Sequence, residues 1–189
     1  MNIFKFAVAG CALAALVACG GGGGGDTAAV ALSAYAGNWK ATSCEQNPEV
    51  TIGSVAVYEQ VYLKDVQASG ATSVSGIVEA QLFDNATCTG VARATHRNGF
   101  SFSIDGTLAV NGKTVDKITV TDAAIGGGLS SGTTVVVNGI TYPGDYFTRT
   151  STDKELSLVE GTNWFFGTGT TAAGQYPTAL EATAALVKQ

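Results

Sequence analysis

From Tyr35 onward the chain repeats with a period of two, not 3.6. Successive residues of an extended strand point to opposite faces, so this period specifies β-structure with one buried face. The clearest case is Phe100-Ser101-Phe102-Ser103-Ile104-Asp105, which puts Phe100, Phe102 and Ile104 on one side. Val55, Val57, Val61 and Leu63 share one face of a long strand, with Tyr58 and Tyr62 on the other. Val74, Val78, Ala80 and Leu82 line one face of the next, Val115 and Lys117 oppose Ile118 and Val120, and Thr133 to Val137 continues the pattern. Late strands are expected over Tyr142 to Thr150, bent near its start by Pro143-Gly144, and over Glu155 to Glu160 and Asn163 to Gly167. The composition of Thr178 to Lys188 permits a helix.

The turn signals agree with this. Asn98-Gly99, Asn111-Gly112 and Asn138-Gly139 separate β-rich segments. Asn-Gly supplies the two positive φ angles that a two-residue hairpin needs. Asp84-Asn85 and Thr152-Asp153-Lys154 also read as turns, and Gly126-Gly127-Gly128 with Ser130, Ser131 and Gly132 reads as a loop. Consecutive hairpins give an antiparallel meander of eight to ten strands. Closing into a barrel removes the exposed edges of such a meander. The fold class is therefore all-β, a single antiparallel up-and-down barrel, with a β-sandwich as the alternative.

The N-terminus has another character. Lys5 gives a short positive region, Phe6 to Val17 are uncharged and mostly apolar, and Ala18 is small. These are the three parts of an export signal, and the apolar run is shorter than the ~20 residues that span a bilayer. Leu16-Val17-Ala18-Cys19 resembles the lipobox of bacterial lipoprotein signal peptides. The resemblance implies cleavage after Ala18, a diacylglycerol on the Cys19 thiol and acylation of the new amino group. Two or more acyl chains hold a protein stably on a membrane. Gly20 rather than Asp follows Cys19, which in this family points to the outer membrane. Gly20 to Gly25 cannot pack a core and read with the following residues as a flexible tether. The expected organisation is a signal peptide over 1–18, a lipidated cysteine and tether over 19–34, and a β-barrel domain over 35–189.

Without residues 1–18 the chain keeps 171 of 189 residues, enough for one domain with a real core. Its charge is nine basic against 15 acidic groups once Lys5 is gone. This balance gives no footprint for nucleic acid, and the sequence has no polybasic patch for anionic lipid headgroups. Cys11 leaves with the signal and Cys19 takes lipid, so Cys44 and Cys88 remain. In an oxidising compartment that pair is most simply a disulfide. Two cysteines and the single His96 are too few for a closed zinc site, and no cofactor is implied.

Gly37-Asn38-Trp39 at the first strand resembles the Gly-x-Trp signature of lipocalins and related calycin barrels. The likeness implies that Trp39 packs across the barrel base, with Gly37 turning the chain in, against a late basic residue for which Arg149 is a candidate. The mature chain also resembles uncharacterised bacterial β-barrel lipoproteins. Those pair Trp…Cys with Asp…Cys, as Trp39…Cys44 and Asp84…Cys88 do, and end in Gly-x-Tyr-Pro-Thr-x-Leu, as in Gly174 to Leu180.

Candidate chemistry is sparse. Gly128-Leu129-Ser130-Ser131-Gly132 matches Gly-x-Ser-x-Gly but lacks the strand–turn–helix context a nucleophile elbow requires. His96 is the only histidine and reads as a strand-end residue near solvent. Gly167-Thr168-Gly169-Thr170-Thr171-Ala172 is too near the C-terminus for a dinucleotide fold. Asn85-Ala86-Thr87 is a sequon by pattern only, and Asp153 and Glu155 read as surface acids. Trp39, Trp164, Phe165, Phe166, Tyr142, Tyr146 and Phe147 either line a ligand pocket or fill the barrel. The expectation is a non-enzymatic, outer-membrane-anchored module that binds a small apolar ligand or an envelope component, or else a structural or interaction lipoprotein with a filled barrel.

Overall fold

The computed structural model describes residues 31–124, 134–144, 146, 151–169, 172 and 174–189. The signal, Cys19, the tether, Gly126 to Gly132 with Ser130, Phe147 and Arg149 lie outside those residues. Among the described residues a short 3-10 turn (Leu32–Ala34) leads into twelve strands: β1 (Gly37–Ala41), β2 (Glu45–Ile52), β3 (Val55–Ala68), β4 (Ser73–Phe83), β5 (Ala94–Val110), β6 (Lys113–Ala124), β7 (Thr134–Val137), β8 (Ile140–Pro143), β9 (Ser151–Glu160), β10 (Asn163–Thr168), β11 (Ala179–Leu180) and β12 (Leu186–Lys188).

Eight of them close a barrel. The ring runs β1-β12-β10-β9-β6-β5-β4-β3, every pair antiparallel, and β3 returns to β1 through Trp39↔Leu63 and Lys40↔Tyr62. The closed ring sets aside the sandwich. β3 is long enough to pair β1 along its C-terminal half and β2 along its N-terminal half, and β2 carries β8 and β7 outward as an extension.

The inner phase holds one large cluster that includes Trp39, Val61, Leu63, Val78, Phe100, Phe102, Ile118, Val120, Trp164, Phe166 and Leu186. Gly76 belongs to this phase. A Cβ there would meet Phe100 Cε1 at 2.8 Å, so the glycine makes room for the ring. A bulge at Gly106 (φ 135°) shifts the phase along β5. Beyond it Leu108 and Val115 face outward and Thr107 and Asp116 inward. A smaller outer cluster of Val110, Val115, Leu156 and Leu158 is covered by Phe165, Tyr176 and Leu180.

Several sequence expectations change. Asn111-Gly112 and Asn138-Gly139 form hairpin turns with all four φ positive. Asn98-Gly99 does not. It lies inside β5, where Asn98 pairs Val78 and Gly99 pairs Ile77 without interruption. Thr152 to Lys154 likewise run within β9, paired to β6. The segment 178–188 forms β11 and β12 rather than a helix, because β10 and β1 offer open edges that it completes. The strand expected from Tyr142 spans Ile140–Pro143 and ends in a turn at Gly144. Val55, at the start of β3, stays 49% exposed.

Candidate functional site

The two ends of the barrel differ chemically. At one end the Gly37-Asn38-Trp39 element builds a packed base. Gly37 has φ 121°, and a Cβ on it would come within 2.9 Å of Lys188 Cε. Asn38 Oδ1 accepts the Asp65 N–H at 2.9 Å. Trp39 is fully buried, donates from Nε1 to the Tyr35 carbonyl at 2.8 Å and meets Trp164 edge-to-face at 5.1 Å. Trp164 donates to Ser157 Oγ at 2.8 Å, and the Tyr35 hydroxyl donates to Asp116 Oδ2 at 2.6 Å. The late basic residue over the Trp39 ring is Lys188, with Nζ 5.3 Å from the ring centre.

At the other end the inner phase turns polar. Glu59 shares the face of Val57 and Val61 on β3, His96 and Asn98 share the face of Phe100 on β5, and Asp122 shares that of Val120 on β6. Asn47 comes from β2 and donates Nδ2–H to Glu59 Oε2 at 2.6 Å. Tyr142 on β8 and Tyr146 just after it close over the group. The Tyr146 ring centre lies 4.9 Å from His96 and 4.9 Å from Tyr142. Val50, Val57, Leu82 and Ile140 complete an apolar rim.

Burial sets the protonation of this group. It pushes the Glu59 carboxyl up to about 7 against the Asn47 hydrogen bond, and the charges of Glu45 and Glu49 add to the rise. Burial, then the nearby Glu59, raises Tyr142 to about 12 and raises Tyr146 as well. Burial holds His96 below its ordinary value, with the Asn98 hydrogen bond opposing. The favoured species near neutrality are a neutral imidazole, neutral phenols and a carboxyl close to half-protonated. They offer hydrogen-bond donors and acceptors in an apolar setting. Polar groups so buried need partners, so the cluster fixes the orientation of whatever it touches.

The other sequence candidates fall elsewhere. Cys44 and Cys88 form a disulfide with Cα atoms 5.7 Å apart, joining the β1–β2 corner to the β4–β5 loop. Asn85 organises that loop, its Oδ1 accepting from the Thr87 hydroxyl at 2.8 Å. His96 is 7% exposed and faces inward, not toward solvent, because β5 starts at Ala94 and carries it inside. Glu155 is buried rather than a surface acid. Its Oε1 accepts the N–H groups of Leu156 and Gly167, and burial lifts it to about 7, with Glu181 and Asp153 adding. Gly167, next to last in β10, lies beneath Pro177, where no side chain fits. Trp39, Trp164 and Phe166 fill the base, Phe165 lies outside, and Tyr142 and Tyr146 cap the polar end. Among the described residues no group of three His, Cys, Asp or Glu is placed to hold a metal ion.

Glu59, Asn98 and Asp122 do not stand out in the sequence. Their signal is present nonetheless: each is a polar residue in the apolar phase of its strand. Comparison of the chain with protein-family models, curated proteins and solved structures gives no match.

Proposed function

We propose that the protein is a bacterial envelope lipoprotein, anchored through lipid on Cys19, whose barrel is a non-enzymatic binding module. The anchor rests on Leu16 to Cys19 and the glycine run that follows. The binding role rests on one observation: buried hydrogen-bonding groups gather at the barrel end opposite the packed Trp39–Trp164 base. The base has buried polar groups too, but there Tyr35 is bonded to Asp116 and Trp164 to Ser157 amid packed rings, whereas at the other end Glu59, Asn47 and His96 meet an apolar rim of Val57, Leu82 and Ile140. The ligand that suits this end is small and largely apolar, with one polar group for Glu59, Asn47 and His96 and an apolar body for Val57, Leu82 and the two tyrosine rings.

A second reading has its own support. Tyr35, Phe102, Trp164 and Phe166 pack with ring centres 5.0–6.1 Å apart, a filled interior that suits a structural or interaction lipoprotein. Mass spectrometry of protein extracted gently from native membranes separates the two. Co-extraction of a stoichiometric small molecule, lost in Glu59→Gln and His96→Ala, supports binding, and its absence favours the second reading. Cys19→Ala is expected to abolish incorporation of labelled acyl chains. Unchanged labelling would remove the anchor.

A further inference from the structure

The sequence carries no run of basic residues, but folding assembles a basic patch. The register sets Lys40, Tyr62, Glu79 and Arg97 abreast on β1, β3, β4 and β5. All four belong to the outer phase, opposite Trp39, Val61, Val78 and His96. With neighbouring strands about 4.8 Å apart the row is roughly 14 Å long. Lys64 lies two residues along β3 on the same face.

The charges in this row are not equally presented. The Glu79 side chain is 2% exposed, covered by Lys64 Nζ at 2.8 Å and Arg97 Nη2 at 2.6 Å, whereas those two side chains are 39% and 61% exposed. Burial alone would raise the Glu79 carboxyl, but hydrogen bonds from Lys64, Gln81 and Arg97 hold it at about 2, so it stays ionised under its two cations. Lys40 and Lys64 also flank the Tyr62 ring, 5.9 and 5.7 Å from its centre. Tyr58 stands further along the same face of β3. The patch around Tyr62 therefore offers three cations above one hidden acid, and even counting Asp65 at the β3 bulge it stays net positive; Asp105, the other acid in the outer phase of β5, lies eight residues along from Arg97 beside Lys154. This occurs in a chain whose total charge is −5.

We propose that this outer face of β1, β3, β4 and β5 docks against the anionic lipid headgroups of the membrane that anchors the protein, through Lys40, Lys64 and Arg97 with Tyr62 among them. The proposal rests on the lipid-anchor reading. Charge complementarity selects the occupant, and so does position: Lys40 lies in the first strand, 21 residues from Cys19 along the chain. The tether therefore keeps this wall within reach of the bilayer. Tyrosine suits the site, since its apolar ring and polar hydroxyl favour the boundary between headgroups and water. Each Lys or Arg near an anionic surface is worth about a fivefold change in partitioning, and the effect fades within a Debye length.

The test uses the mature chain, residues 19–189, carrying Cys19→Ala, so that the barrel's own contact is measured apart from the lipid and the signal. The readout is the ratio of its partition coefficients on phosphatidylcholine vesicles with and without about one-third phosphatidylglycerol. Lys40→Gln is expected to lower that ratio about fivefold. Glu79→Gln is expected to raise it about fivefold, because it adds net charge to the face, an outcome that a purely structural ion pair would not give. Arg97→Lys keeps the charge and the ratio. Lys113→Gln, on β6 and paired with Glu160 at 2.6 Å, is the control and leaves the ratio within about twofold. Equal ratios for all variants overturn the proposal. So does a Lys113→Gln effect as large as that of Lys40→Gln, which would mean diffuse charge rather than a patch. Acyl labelling of the Cys19 form tests the anchor separately.

Discussion

Glu59→Gln is the sharpest probe of the polar end. The carboxyl is raised from 4.5 to about 7 chiefly by burial, so its folded-state value lies above its unfolded one. Glu59 therefore favours folding when protonated. That contribution is complete below about pH 4.5, declines as pH rises, and is gone above pH 7. A tenfold change in a proton-binding equilibrium corresponds to about 1.4 kcal/mol, which sets an upper bound of about 3 kcal/mol at pH 8. Relaxation around the charge makes about 2–3 kcal/mol the expected value. Gln keeps an acceptor for Asn47 Nδ2 and cannot ionise. The variant should therefore be more stable than the parent by about 2–3 kcal/mol at pH 8 and by only a few tenths at pH 4. For a domain of this size the difference is roughly 5–10 °C in melting temperature at the higher pH. Urea and thermal denaturation at both pH values, on chains that otherwise match, measure it. Gln destabilising the protein at pH 8 would refute the reasoning, for then Glu59 would be a usefully paired anion.

Two further perturbations test the framework. Cys44→Ser with Cys88→Ser opens a loop of 44 residues and should cost about 4 kcal/mol in the chain-entropy model, read as a lower urea midpoint under oxidising conditions that disappears when both proteins are reduced. Trp39→Ala removes a fully buried ring and a hydrogen bond from the base, and should cost about 3–5 kcal/mol by denaturation. An unchanged melting curve would show that the base does not depend on this ring.

The barrel is legible in the sequence because alternation and hairpin turns are local properties. Phe100 to Asp105 and Asn111-Gly112 each carry their own signal. Dipeptides whose meaning depends on neighbours mislead. Asn98-Gly99 has the chemistry of a turn, yet β4 and β6 offer continuous edges on both sides, and the ladder wins. β2 escapes notice because Pro48 and a bulge between Asn47 and Thr51 break its alternation. The strands near the C-terminus leave no pattern because β11 and β12 are only two and three residues long and exist by completing other strands' edges. The polar end is hidden for a different reason. A Glu between two valines of one phase looks like any surface residue until the strand has a partner on each side, and only closure turns that phase into an interior.

Closure also explains why net charge misdescribes this molecule. Asp116, Asp122 and Glu155 stand buried in inner phases, and Glu59 stands half-buried there, while Lys40, Lys64, Arg97, Lys113, Lys117 and Lys154 stand in outer ones. An excess of acid along the chain is thus partly withdrawn from the surface, and the wall that meets the surroundings is richer in cations than the composition suggests. The same sorting divides the response to acid. Inward carboxyls such as Glu59 and Glu155, lifted to about 7 by burial, favour folding as they protonate between pH 7 and 4.5. Glu79, held at about 2 by its cations, contributes stability above about pH 4.5 and loses it only as pH falls toward 2. Mild acidification should therefore tighten the polar end while leaving the outer ion pairs intact, so any ligand held there through an ionised Glu59 would be released before the barrel itself is threatened.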